Sequence, residues 1–208
     1  MDAMAQVRPY RGVEAPERVA QRRRRFLEAG LDLLGSADHD FADLTVRAIC
    51  RQAGVTVRYF YEGFADKDDF VGAVFDWVVG DIATTTQAAA AAAAAKQQTR
   101  AVMTELVRTI AGDPRVGRLL FSSKLSNAVV VRKRAESGAL FAMLSGQHAS
   151  NALRQTQNDR IRAAAHFVVG GVGQTISAWL AGGVALGRDE LVDQLTAMID
   201  QLADPRLY

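Results

Sequence analysis

Hydrophobic positions in this chain recur at three- and four-residue intervals almost from end to end, the period of a helix with one buried face. No stretch alternates as a half-buried strand would, so the predicted fold class is all-α. The first helix follows Pro16: Val19, Phe26, Ala29, Gly30, Leu33 and Leu34 share a face, and Gly35-Ser36 ends it. A polar loop covers residues 37–43. Two very short helices come next, over 46–53 and 57–62, each preceded by a threonine able to cap it, Thr45 and Thr56, with Gly54 turning the chain between them. Asp66 then caps a longer helix whose buried stripe is Phe70, Val74, Trp77 and Val78. The alanines at 88–95 favour helix strongly but have no volume with which to fill a core, which predicts an exposed helix end. Further helices are expected over 101–110, 116–121, 128–144, 161–180 and 191–202, a bundle of ordinary one-domain size.

The run from Thr45 to Tyr61 has the design of a helix-turn-helix, in which a glycine turn sets a second helix across the first. Ile49, Val55 and Phe60 lock the two helices together and Ala53 allows close approach. Val57, Arg58, Tyr59 and Tyr61 are left facing outward. Outward aromatics need a reason, and a DNA major groove about 12 Å wide, which admits one helix, supplies it. Arg58 is the only fork-shaped donor in the second helix: either a bidentate guanine ligand or a solvated arginine. Thr45 and Thr56 serve as caps, as phosphate ligands at helix N-termini, or as both. Lys67, among Asp66, Asp68 and Asp69, reads as a ligand of an external anion or as a local ion pair.

Extended through Glu62-Gly-Phe-Ala-Asp-Lys-Asp-Asp-Phe70, this segment resembles the DNA-binding unit of the TetR family of transcriptional regulators, which couples threonine, alanine-glycine-valine, tyrosine, phenylalanine and lysine at these spacings. The likeness is detailed from the first helix through Phe70, roughly the first third of the chain. Beyond that point it is one of length and helix pattern. Cys50 stands where a small alanine is usual, and Phe60 and Phe70 where leucine is common. The resemblance implies a basic arm and three-helix DNA-binding unit over residues 1–66, then a larger helical effector-binding and dimerisation bundle over 67–208. It implies that Thr45, Thr56, Tyr61 and Lys67 hold phosphates while Val57, Arg58 and Tyr59 lie against bases. Arg22 and Arg47 are counted in the same DNA-facing set.

Charge refines this picture. The 208 residues are 49% hydrophobic and 23% charged, with a net charge of only +2. Residues 8–25 nevertheless hold seven arginines against Glu14 and Glu17, a local +5 that leaves −3 for the remainder. Such an arm tracks phosphates and makes binding salt-dependent, or is simply a solvated tail. Four arginines in a row point around the whole helix, so only some can touch DNA, and Arg22 or Arg23 is placed to cover apolar surface. The alternative function is a helical binding module that uses this arm on acidic partners or anionic lipid.

Other classes find little footing. His39, His148 and His166 are scattered, and the chain has no HExxH, P-loop or Gly-x-Ser-x-Gly. Asp38-His39-Asp40 reads as a solvated loop rather than a metal site, and Gly171-Val-Gly173 lacks the third glycine and the preceding strand of a dinucleotide fingerprint. No enzyme, cofactor or metal is expected. One cysteine, Cys50, forbids an internal disulfide, no secretory signal is visible, and no run of about 18 apolar residues occurs, so a cytoplasmic protein without a membrane partner is expected.

The helix beginning near Asp159 carries two distinct faces. Ile161, Ala165, Val168, Val172, Ile176 and Trp179 form one. Phe167, Gly170, Gly171, Gln174, Ala178 and Ala181 form another, mostly small, where mid-helix glycines are costly unless a second backbone approaches. The final helix repeats Leu191, Leu195, Met198, Ile199 and Leu202. The resemblance implies a four-helix homodimer interface from these two helices, with Gly170, Gly171, Ala178, Leu191, Leu195, Met198 and Leu202 in it. Two-fold symmetry then implies a roughly palindromic operator on double-stranded DNA. It also implies a repressor released by a small effector, apolar or aromatic because buried charge is scarce. Trp77, Met103, Phe121, Phe141, Phe167 and Gln174 are the expected lining.

Overall fold

The computed structural model describes residues 15–36, 44–122 and 125–202. The arm bearing Arg8 and Arg11, the loop 37–43 and the Asp38-His39-Asp40 candidate lie outside them. The described residues form α1 (Ala15–Leu34), α2 (Val46–Ala53), α3 (Val57–Gly63), α4 (Lys67–Ala92), α5 (Gln98–Gly112), α6 (Pro114–Phe121), α7 (Ala128–Leu153), α8 (Asp159–Leu180) and α9 (Arg188–Gln201), with one 3₁₀ turn at Ala95–Gln97. The fold is all-helical, with a small N-terminal unit ahead of a larger bundle. No helix among the described residues is long and apolar enough to cross a membrane.

Local chemistry explains the boundaries. Thr45 Oγ1 accepts the Ala48 N–H at 3.1 Å, and Gly54 closes α2 in the left-handed region at φ 62°. Asp66 Oδ1 accepts the Asp69 N–H at 2.8 Å, and Asp68 and Asp69 lie favourably on the positive end of α4. The alanine run supplies the end of α4 through Ala92 and continues past it to Ala95, its residues exposed or half-buried and none in the core. Helix α8 begins at Asp159 as expected, with Asn158 capping it by accepting the Ile161 N–H at 3.0 Å. The end of α7 departs from expectation. Helix α7 runs nine residues past Leu144, because small residues there, buried Gly146 and Ser150, let it pack against α8 where no hydrophobic periodicity survives.

Helix α1 rests on α2, α4 and α6; α4 also packs on α5 and α7, α7 on α8, and α5 on α9. One continuous core runs through the N-terminal unit and the bundle. Gly30 permits the α1–α4 crossing, since a Cβ there would collide with Val74 and come within 2.7 Å of Phe70 Cζ. Val19 does not join the buried face of α1. It is 54% exposed, because the body of the protein begins near Phe26, two turns further along.

A second junction joins α1 to α6. Arg118 donates to the Gly35 carbonyl at 2.8 Å, and Arg115 pairs with both Asp113 and Asp32. Asp32 also accepts from Gln52 of α2 at 2.9 Å, so a single carboxylate ties bundle helix α6 to the helix-turn-helix. The Arg115 guanidinium holds the Asp113 carboxyl below its ordinary range.

Candidate nucleic-acid interface

The interface is built on a cluster of phenylalanines. Phe60 is fully buried, with its ring centroid 5.8 Å from Phe26, 5.3 Å from Phe64 and 5.6 Å from Phe70, joining α3 to α1 and α4. A seven-residue helix is marginal alone, so this anchorage is what fixes its orientation. Ile49 and Ala53 are buried beside it and Val55 is half-buried, which agrees with the interlocking read from the sequence. Cys50 is buried at the same seam, where burial pushes its thiol pKa up and keeps it protonated.

With Phe60 inward, Val57, Arg58, Tyr59 and Tyr61 are all exposed, Tyr61 to 60%. Arg58 pairs with Glu62 at 3.2 Å, but both ends are solvated and the cation precedes the anion, the weaker order for such a pair. Its fork is easily surrendered to a stronger acceptor. Thr45 and Arg47 are exposed at the start of α2. Thr56 occupies the cap position of α3 but its side chain makes no cap bond; instead the Tyr59 N–H closes on the Thr56 carbonyl at 3.1 Å. The double role expected of Thr56 therefore reduces to an exposed hydroxyl. Lys67 is half-buried and engaged within the chain.

The arginine run divides its labour. The Arg22 guanidinium stacks 4.4 Å from the centroid of the Tyr59 ring. Arg23 lies 5.0 Å over Phe64 and donates to the Gly63 carbonyl, Arg24 pairs with Glu28, and Arg25 donates to the Gly54 carbonyl. The stacking agrees with the expectation that Arg22 or Arg23 covers apolar surface, since they continue the buried stripe of Phe26 and Leu27 by one turn, but the carbonyl bonds of Arg23 and Arg25 are not foreseen in the sequence.

Away from this surface the expected sets divide. Met103 is buried, and Trp77, Phe121 and Phe141 are half-buried against the core. Phe167, 69% exposed, and exposed Gln174 cannot line a bundle interior, because the helical turn carries them to the outward face of α8. Gly170 and Gly171 share that face with nothing near them, and Ala178 is half-buried. On α9 the expected interface is corrected. Leu191 and Leu195 are buried in the protomer's own core, where α9 packs on α5, leaving Met198 exposed and Leu202 half-buried.

Residues 26–74, the segment holding these anchors and this exposed helix, match the family model of bacterial regulatory proteins of the tetR family. That segment is similar to the DNA-binding unit of the tetR family. Solved structures agree in fold. A putative TetR-family transcriptional regulator from Syntrophomonas wolfei is 14% identical with a TM-score of 0.74, the match covering 88% of this chain and 95% of that one. FadR from Bacillus halodurans, a fatty acid degradation regulator, is 15% identical with a TM-score of 0.72 over 90% and 96%. FadR from Bacillus subtilis, solved in complex with stearoyl-CoA, is 18% identical with a TM-score of 0.67 over 87% and 97%. Among curated protein sequences none matches. In the matched segment α2 and α3 are arranged as a helix-turn-helix.

Proposed function

We propose that this protein is a transcriptional regulator of the TetR family, a homodimeric repressor that reads a roughly palindromic operator with α3 and is released by a small effector held in its bundle. Residues 1–66 form the reading unit and 67–208 the effector and dimer unit, with α4 reaching from one into the other. The observation that carries the reading is an outward surface of Val57, Arg58, Tyr59 and Tyr61 on a helix whose opposite side is locked by Phe60. Thr45, Arg47, Thr56 and Lys67 flank it as phosphate ligands. Lipid or a generic acidic partner would use the arginine run alone, yet Arg22 to Arg25 are each engaged within the protein.

Arg58→Ala tests base reading. It is expected to weaken binding to the preferred duplex by about 1–3 kcal/mol and to relax selectivity at one base pair. A gel-shift series on duplexes drawn from the DNA flanking the coding region checks it, and unchanged affinity and selectivity would reject the assignment.

The dimer rests on the outward face of α8, where Phe167 projects beside Gly170, Gly171 and Ala178, joined by Met198 of α9. A large exposed aromatic beside small residues suits a self-complementary contact. Phe167→Arg is expected to cost the dimer about 2–4 kcal/mol, read as a shift towards the one-subunit mass in sedimentation at unchanged helix content.

The effector is apolar or aromatic and packs against Met103, Trp77, Phe121 and Phe141. The acyl chain of the ligand in the similar Bacillus subtilis structure falls in that class. Release requires the effector to bind better to a state whose two reading helices are wrongly spaced. Two routes lead there: α4, and the Asp32–Arg115 junction between α1 and α6.

A further inference from the structure

Helix α1 delivers one guanidinium to each end of the reading segment. Arg25 Nη2 donates at 3.1 Å to the carbonyl of Gly54, the residue that closes α2 two positions before Thr56. Arg23 Nη1 donates at 3.3 Å to the carbonyl of Gly63, the last residue of α3, while its plane lies over Phe64. Both acceptors sit where a helix ends and its unpaired carbonyls carry partial negative charge, the place where a cation binds favourably. Gly54 is fitted to its partner twice over. It takes the left-handed turn, and a Cβ there would stand 2.8 Å from the Arg25 guanidinium, so only glycine leaves the notch open.

We infer that Arg23 and Arg25 are positioning residues for operator selectivity, holding the two ends of the reading segment to α1 rather than binding phosphate. The inference rests on the operator-reading function proposed above. Helix α3 has seven residues, of which Phe60 alone is buried, with buried Phe64 just beyond its end, so apolar packing holds only its inner side. A bond at each end of the segment limits the rotation that remains. Pivoting moves Arg58 and Tyr59 relative to base edges and barely changes the total positive charge beside the backbone, so its loss is felt in selectivity before affinity.

The experiment compares wild type with Arg23→Gln/Arg25→Gln, with the paired Lys variants, and with Arg24→Gln, which removes one such charge from the solvent side of the run. Binding is measured across a salt series on a duplex selected by wild type from a randomised pool and on its scrambled counterpart. The double Gln variant is expected to lose about tenfold of its selectivity, comparable to one base pair's discrimination, with scrambled-duplex affinity and salt slope matching Arg24→Gln. The Lys pair is expected to recover part of that selectivity, because an ammonium still donates to a carbonyl but lacks the planar fork and the stacking.

Phosphate ligands would behave otherwise. The slope would fall by about 0.9 for each arginine on both duplexes while selectivity held, and that result overturns the inference. Equal selectivity in the double Gln and Arg24→Gln variants overturns it too. Should wild type prefer no duplex at all, operator reading falls, and hydrogen exchange of the α3 amides decides the positioning role in the free protein. Faster exchange in the double variant than in Arg24→Gln upholds it, and equal exchange overturns it.

Discussion

Gly35→Ala is expected to lower the melting temperature by about 2–12 °C, the consequence of about 1–3 kcal/mol of overpacking in a chain of this length. A Cβ at this position would stand 2.5 Å from Arg115 Cβ, 2.6 Å from Arg115 Cα and 2.7 Å from the Arg115 carbonyl oxygen. Two of those atoms are backbone, so no rotamer change relieves the overlap. Helices α1 and α6 must part by about 1 Å to restore ordinary contact distances. That movement pulls on the Arg118 bond to the Gly35 carbonyl and on the pairing of Arg115 with Asp32, and Asp32 also holds Gln52 of the helix-turn-helix. Affinity for the preferred duplex is therefore expected to fall by about tenfold, an ordinary magnitude for coupling between sites. Gly80→Ala is the natural comparison. Gly80 lies exposed within α4 with nothing within 4 Å of an added Cβ, and alanine there is expected to be neutral or to stabilise by about 0.5–1 kcal/mol. Equal melting temperatures for the two variants would show that the α1–α6 crossing carries no strain.

What could be read in the sequence follows from how local the deciding physics is. Thr45, Gly54 and Asp66 are legible because capping and left-handed turns are settled within three or four residues, and the structure places each as expected. Phe60 is legible because the short helix has one large residue on its inner face. Leu191 and Leu195 show the limit. An amphipathic stripe announces that a face is covered but not by what, and here the cover is α5 of the same chain rather than a second copy. Phe167 fails in the opposite sense: an aromatic at helical spacing looks like core or pocket lining, yet it points outward. Gly35 reads only as a helix stop, since its encounter with Arg115 joins residues eighty positions apart. In the arginine run the stacking of Arg22 and Arg23 on aromatic rings agrees with their expected cover of apolar surface, whereas the carbonyl bonds of Arg23 and Arg25 reach residues forty and twenty-nine positions away and leave no local signal.

Phe60→Ala is expected to have the largest effect of any single substitution in the reading unit. The ring is fully buried and packs against Phe26, Tyr61, Phe64 and Phe70, so its removal deletes four aromatic pairings and leaves a cavity at the point where α1, α3 and α4 meet. Phe-to-Ala substitutions in cores cost about 3–5 kcal/mol, which in a chain of this size lowers the melting temperature by about 6–20 °C. The loss should be local before it is global. Phe70 belongs to α4, but the bundle also holds α4 through Val74, Val78, Val79 and Ile82, which are buried further along the helix. Amides of α2 and α3 are therefore expected to exchange far faster in the variant, while those of α5 and α8 keep most of their protection. Binding to the preferred duplex should disappear, because a seven-residue helix without its anchor no longer presents Arg58 and Tyr59 in one orientation. Phe60→Leu keeps most of the volume and is expected to fall between the two. A Phe60→Ala protein that melts with wild type and still shifts the preferred duplex would mean that α3 is held by something other than the aromatic cluster.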